Sequence, residues 1–452
     1  MRRLALIGCV ALAACTAPVA EAPTRLPPSP AALPPMKTFP ARRGAAPLRS
    51  NAAIARDFLD LAFQMESGRP LPALTRFEAP VAVRVTGRPP PSLGPDLAAL
   101  LARLRNEAGI DIARVPADRD AEITIEVLPR ARLQGLVPEA ACFVAPRVSS
   151  WGEYRRARRS RVVDWTTLTT RERVAIFLPG DVSPQEVRDC LHEELAQALG
   201  PLNDLYRLPD SVFNDDNFHT VLTGFDMLIL RIYYAPELRS GMSRAEVADI
   251  LPGLLARLNP RGQGRGTAPV PHTTRDWIDA IETALGPGTA PRRRLDAAAE
   301  AVAIARARGW RDTRLAFSLF ALGRLSLGRD GDLALAAFLE AGQVYAARPD
   351  TRIQSAHVAM HLAAFALSAG QAETALGLVN GALDEATRAQ NAALLATMLL
   401  IEAGALDALG RANEARAVRG DALGWARYGF GEDAEVRARL GEIAALTPRR
   451  GI

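Results

Sequence analysis

The sequence predicts an α+β domain built on a sheet and one long central helix, followed by an all-α domain of repeated helices. Three observations carry this. Between 51 and 258, short apolar-alternating segments interleave with amphipathic ones. Late in that region, Ser183 to Gly200 combines strong helix-start and helix-stop signals. From about residue 273 the chain becomes continuously Ala/Leu-rich, with breaks near Gly328, Gly370 and Gly410 at intervals of about forty residues.

The chain opens with Arg2-Arg3, an apolar run Leu4–Ala14, and Leu12-Ala13-Ala14-Cys15. That run is too short to cross ~30 Å of hydrocarbon as a helix, and a charged start with small residues before a Cys reads as a secretory signal. The L-A-A-C string resembles a bacterial lipobox, which implies removal of residues 1–14 and lipidation of Cys15. The expectation is a periplasm-facing lipoprotein of a Gram-negative-type cell envelope, with Thr16 favouring the outer membrane. Losing Arg2 and Arg3 leaves 53 basic against 50 acidic residues, a balance that gives no support to a nucleic-acid partner. Cys142 and Cys190 then form the remaining pair in an oxidising compartment, and a disulfide between them is expected, with two buried thiols as the alternative.

Residues 15–50 are rich in Pro and Ala, without an apolar period, and read as an extended tether. Asn51–Ser67 reads as an amphipathic helix, Val81–Val85 as a strand, and Asp96–Ala108 as a second helix closed by Gly109. Ala121–Leu128, Ala141–Ala145 and Val174–Leu178 complete the strands. Between the last two, Tyr154–Arg161 carries five arginines; it reads as a solvated loop, with contact to anionic head groups as the alternative. The central helix follows, with Ser183 as cap, Pro184 at the first position and Glu186 placed for a capping box. Thr223 caps a further helix to Tyr234, and Ser243 with Glu246 opens another to about Leu258, with Pro252 as a kink. Residues 259–272 read as a linker whose Gly262, Gly264 and Gly266 lack the context of a phosphate loop.

The centre of the chain reads C-L-H-E-E-L-A-Q-A-L-G-P-L-N-D from Cys190 to Asp204. Glu193-Glu194-x-x-Gln197-x-x-Gly200-x-x-Asn203 resembles the metzincin metallopeptidase pattern H-E-x-x-H-x-x-G-x-x-H, with the general-base Glu and the Gly kept and all three histidines replaced. Ser211-Val212-Phe213-Asn214 resembles the tight turn of that family, with Phe213 in the Met position. The string from His192 to Met242 also resembles an uncharacterised bacterial family of secreted metzincin-like domains, more loosely from about Asn51 to Pro260. The resemblance implies a mixed sheet with an active-site-type helix over 51–258. In the 273–452 region the small-residue pattern resembles tetratricopeptide repeats, although the period exceeds the usual ~34 residues. Such arrays dock peptides or proteins.

A working metzincin holds Zn²⁺ on neutral imidazoles and deprotonates bound water with its Glu. Here Glu194 is in the base position, and the ligand set would be Glu193, Gln197 and Asn203, with Asp204 adjacent. These oxygen donors suit zinc poorly, and one carboxylate with two amides is a weak set for Ca²⁺ or Mg²⁺. The expectation is therefore a cleft without cofactor, with a divalent cation as the alternative. His192, one register away, points to a different face. Asp210, Asp215 and Asp216 read as turn residues. His357 and His361 sit at ligand spacing, but no Glu follows His357, and Ala, Val, Met and Leu surround them. The resulting expectation is a non-catalytic domain that binds a peptide or envelope polymer, joined to repeats that dock a protein. A metal-dependent hydrolase using Glu194 is the competing class, and a purely structural scaffold is the third. A scaffold role would be marked by the helical repeats packing the Glu193–Asn203 face shut.

Overall fold

The structure is a computed structural model, describing residues 32–446 apart from 41, 265 and 267–269. The signal segment, Cys15 and the first half of the Pro/Ala-rich segment lie outside the described residues.

The N-terminal part is an α/β domain. Helix α1 (Asn51–Ala62) is followed by β1 (Val81–Gly87), α2 (Leu93–Arg103, continued by a wider turn to Ala108) and β2 (Ile112–Arg114). Then come β3 (Ile123–Leu128), α3 (Arg130–Gln134), β4 (Phe143–Pro146), α4 (Trp151–Ala157) and β5 (Val174–Pro179). Helices α5 (Pro184–Leu199), α6 (Gly224–Tyr233) and α7 (Arg244–Leu258) close the domain. The strands form one mixed sheet in the order β2-β1-β3-β5-β4, parallel except for β4, which runs against β5.

Strand β5 is buried throughout and divides its side chains by the two-residue period. Val174, Ile176 and Leu178 enter the large core shared with α1, α2, α5, α6 and α7. Ala175 and Phe177 enter a small core on the opposite face, with Leu133, Trp151 and Ala145. The sheet thus has α5 on one face and α4 on the other.

Several boundaries differ from expectation for local reasons. Helix α1 stops at Ala62, because Phe63 to Leu71 doubles back and Leu71 N–H donates to Phe63 O at 2.9 Å. Strand β2 is a three-residue edge strand, too short to show a period. The first half of the arginine run is helix α4, not loop, because Ser150 caps it by accepting from Glu153 N–H. Ser183 does cap α5, but Glu186 does not complete a box; its carboxylate pairs with Arg130 instead.

The C-terminal part is all-helical: α8 (Arg275–Leu285), α9 (Pro291–Ala307), α10 (Thr313–Ser326), α11 (Gly331–Ala346), α12 (Arg352–Ser368), α13 (Ala372–Asn380), α14 (Leu383–Arg388), α15 (Ala392–Ala408), α16 (Ala412–Phe430) and α17 (Asp433–Ala444). Gly328, Gly370 and Gly410 each adopt positive φ (75°, 76° and 79°) and end α10, α12 and α15. Glycine meets that conformation without steric cost, which is why the breaks were visible as glycines. Neighbouring helices pack in sequence through alanines such as Ala298, Ala301, Ala334, Ala337 and Ala341.

The two parts share a core. Tyr206 and Phe218, both from the segment between α5 and α6, lie in the apolar cluster of the helical part. Phe218 stands among Phe317, Phe320, Tyr345 and His357, with ring centroids 4.9–6.2 Å away. Tyr206 meets Trp277 edge-on at 5.0 Å.

Residues 32–50 are extended, yet they lie along the body rather than standing off it. Lys37 N–H donates to Gly424 O at 3.0 Å, and Phe39 stacks on Trp425 with centroids 4.3 Å apart. Gly44 crosses Gly224 so closely that a Cβ on Gly44 would sit 2.4 Å from the Gly224 nitrogen. Arg49 then pairs with Asp57 at 2.6 Å and with Asp210.

Candidate functional site

Helix α5 presents two opposed polar faces, one on each side of the ridge that Val187, Leu191, Leu195 and Leu199 bury in the core. The disulfide Cys142–Cys190 joins this helix to the residue before β4.

One face holds the residues singled out by motif. Glu194, Gln197 and Asn203 are each less than a tenth exposed (4%, 7% and 5%). Glu193 is half-buried. Asn203 points away from a common centre and donates through Nδ2 to Asp60 O at 2.9 Å, holding the chain after α5 to α1. Gln197 Nε2 reaches Glu66 Oε1 at 3.5 Å. Glu194 Oε2 and Asp204 Oδ1 are buried and have no hydrogen-bond partner among the described residues. An uncompensated carboxylate oxygen of this kind is costly when ionised.

The charges on this face reinforce one another. Burial pushes the Glu193 carboxyl up to about 8, and Asp215, Glu66 and Asp189 add to the shift. Burial holds Glu194 well above the usual carboxylate range, with Glu193 and Glu66 contributing. Asp204 is raised well above its usual value by dehydration and by Glu66, Glu193 and Asp215. No basic side chain is among the groups acting on these three. Burial and mutual repulsion thus favour the protonated form of all three.

The turn after α5 is built as its residue types imply. Ser211, Phe213 and Asn214 are buried; Ser211 Oγ bonds Asp226 Oδ1 at 2.5 Å, and Phe213 N–H donates to Ser211 Oγ at 3.0 Å. Phe213 fills the α/β core. Asp216 accepts from Phe218 N–H at 3.1 Å and from Asn214 Nδ2 at 2.7 Å, while Asp215 accepts from Tyr206 Oη at 2.6 Å. Asp210 is engaged by Arg49.

The other face of α5 meets the helical part. Gln185 donates to Asn391 Oδ1 at 3.1 Å and accepts from Ala393 N–H at 2.9 Å. Arg188 donates to Gln390 O at 2.6 Å. His192 lies on this face, as its register implies, and accepts through Nδ1 from Leu222 N–H at 3.1 Å. Burial, then Arg188 and Arg103, hold His192 well below its usual value, so it stays neutral. A cavity of about 40 Å³ lies here under Phe39, lined also by Asp96, Arg103, Arg188, His192 and Tyr428, with room for a water or two.

Two important residues carried no local signal. Glu66, exposed beside the motif face, accepts from Gln197 Nε2 and acts on Asp204. Arg171 is 3% exposed and donates to Gln197 O, Ala198 O and Gly200 O, so one guanidinium satisfies the C-terminal carbonyls of α5. In the helical part, His361 stacks on Phe338 at 4.4 Å and His357 packs on Phe218, a structural use of both imidazoles.

Among the described residues, no group of three or more His, Cys, Asp or Glu side chains is arranged to hold a metal ion. The donors on the motif face also do not fit zinc, since they offer carboxyls and amides where zinc takes nitrogen or sulfur. Residues 51–253 match the family model described as a protein of unknown function (DUF2927), so this stretch is a domain of unknown function. No curated protein and no solved structure matches the chain.

Proposed function

We propose that the α/β domain is a metzincin-like domain put to structural use. It seats a tetratricopeptide-like helical array that docks a protein or peptide, on a lipoprotein held at the periplasmic face of the outer membrane through Cys15. The observation that carries this reading is the shared core: Tyr206 and Phe218, from the segment that follows the motif helix, are embedded among helices α8, α10, α11 and α12. A segment that would border a substrate cleft is thereby committed to the joint. Supporting it, Glu194, Gln197 and Asn203 are buried and Asn203 is spent on α1, although the helical repeats meet the Gln185–Arg188 face of α5 and do not close the Glu193–Asn203 face. The sheet order with one antiparallel strand, the long helix, the tight turn and the closing helix agree with the metzincin resemblance.

One observation favours the hydrolase instead: Glu194 is retained, and its Oε2 is buried without a partner. Metal analysis by mass spectrometry of the chain from residue 16 separates the two, beside Glu194→Gln and Gln197→Ala. The scaffold reading expects no stoichiometric metal in any of the three. About one ion per chain, diminished in Gln197→Ala, would overturn it and restore the hydrolase.

A further inference from the structure

On the face of the sheet opposite α5, helix α4 and the turn after it carry Arg155, Arg156, Arg158, Arg159 and Arg161, all exposed. None of the five forms an ion pair among the described residues. The nearby carboxylates are already engaged, Glu153 by Arg173 at 3.7 Å and Asp164 by Arg69 at 3.2 Å. Two more guanidiniums join the patch: Arg147 Nη1 donates to Arg161 O at 3.3 Å, and Arg173 Nη2 donates to Arg147 O at 2.7 Å. Val162, 42% exposed, sits within the run.

This patch is mounted rigidly. Trp151 and Tyr154, on the inner side of α4, pack with Phe143 and Phe177 at centroid distances of 5.0–6.3 Å. Trp151 N–H also donates to Glu126 Oε2 at 2.6 Å, which pins the helix start to β3. The arginine backbones are therefore placed before any partner arrives, which lowers the ordering cost of contact.

We propose that this ridge docks on the phosphates of an anionic phospholipid leaflet. Six arginines without an ion pair among the described residues and a seventh, Arg173, shared with Glu153, make the patch strongly cationic. The planar guanidinium fork matches a phosphate's paired oxygens better than a point charge does. The exposed Val162 among cations fits a lipid interface, where an apolar tip enters below the head groups while the guanidiniums stay among them. The choice of a membrane rests on the lipidation reading. Sixteen residues separate Cys15 from Ala32, so a lipidated chain keeps the body within at most ~55 Å of the bilayer.

The test is vesicle co-sedimentation of the non-lipidated chain from residue 16, which retains every described element. The expected result is binding to mixed phosphatidylglycerol–phosphatidylcholine vesicles, lost on phosphatidylcholine alone and weakened by salt. Arg155→Glu, Arg158→Glu and Arg159→Glu together should weaken it at least about 100-fold, with thermal unfolding unchanged. Undiminished binding by the triple variant, no binding to the anionic vesicles, or full competition by soluble polyglutamate would each overturn the proposal. Cell fractionation of the full chain with and without Cys15→Ser tests the lipid anchor separately, since loss of that anchor leaves the vesicle result unchanged.

Discussion

The two polar faces of helix α5 differ in the charges gathered on them, arginines standing beside carboxyls on one and carboxyls alone on the other. Toward the helical part, Gln185 and Arg188 are hydrogen-bonded across the joint and His192 is bonded to Leu222, while Arg188 Nε and Asp189 Oδ1 are buried without a hydrogen-bond partner among the described residues. Toward Glu66, the carboxyls of Glu193, Glu194 and Asp204 crowd together, and Glu194 and Asp204 each keep a buried oxygen without a partner. One helix thus has a face that bonds across the joint and a face where carboxyls crowd together with no counter-charge. Buried unpaired polar atoms cost stability wherever they stand, and on the carboxyl face no arginine offsets that cost.

Removing the covalent link beneath both faces should have the largest effect. Cys142→Ser with Cys190→Ser releases a constraint across a sequence separation of 48 and should cost about 4 kcal/mol, read from urea midpoints. Next, Phe218→Ala empties the ring of aromatics at the joint and should cost about 3–5 kcal/mol. An effect below about 1 kcal/mol would show that the joint does not depend on this side chain.

The crowded face should reveal itself by pH. The Glu193 carboxyl is raised, so between its usual value and about 8 the folded chain holds a proton that the unfolded chain has released. Stability is therefore fully present at low pH on this account and declines as pH rises through that window. Glu193→Gln should flatten the decline and stabilise the protein at pH above about 8 by on the order of 2 kcal/mol. A pH slope unchanged in Glu193→Gln would remove the electrostatic half of the comparison. The smallest effect belongs to the face toward the helical part: Gln185→Ala loses two hydrogen bonds and should cost about 1–2 kcal/mol.

How much of this was readable in the sequence follows from whether the determinant is local. The Ser183 cap, the Gly328, Gly370 and Gly410 breaks and the period of β5 are set by neighbours in the chain, and each was legible. Placing Glu193 and His192 on different faces needed only helical geometry. What stayed hidden depends on distant partners. Glu186 turned from the capping box to Arg130, Arg171 came from a loop to close α5, and Phe39 found Trp425 nearly four hundred residues away. Tyr206 and Phe218 look like ordinary loop aromatics until the helical part surrounds them. Helix α5 lies where the sequence places it, but the groups standing against its two faces come from distant segments, and sequence spacing does not contain that.

The central claim is that the α/β domain and the helical array are one structural unit joined through the segment after α5. Differential scanning calorimetry of the chain from residue 16, alone and as Tyr206→Ala with Phe218→Ala, tests it most directly. The account expects one cooperative transition in the parent, split into two in the double variant as each part unfolds separately. Two separate transitions in the parent, unchanged by the double substitution, would contradict it.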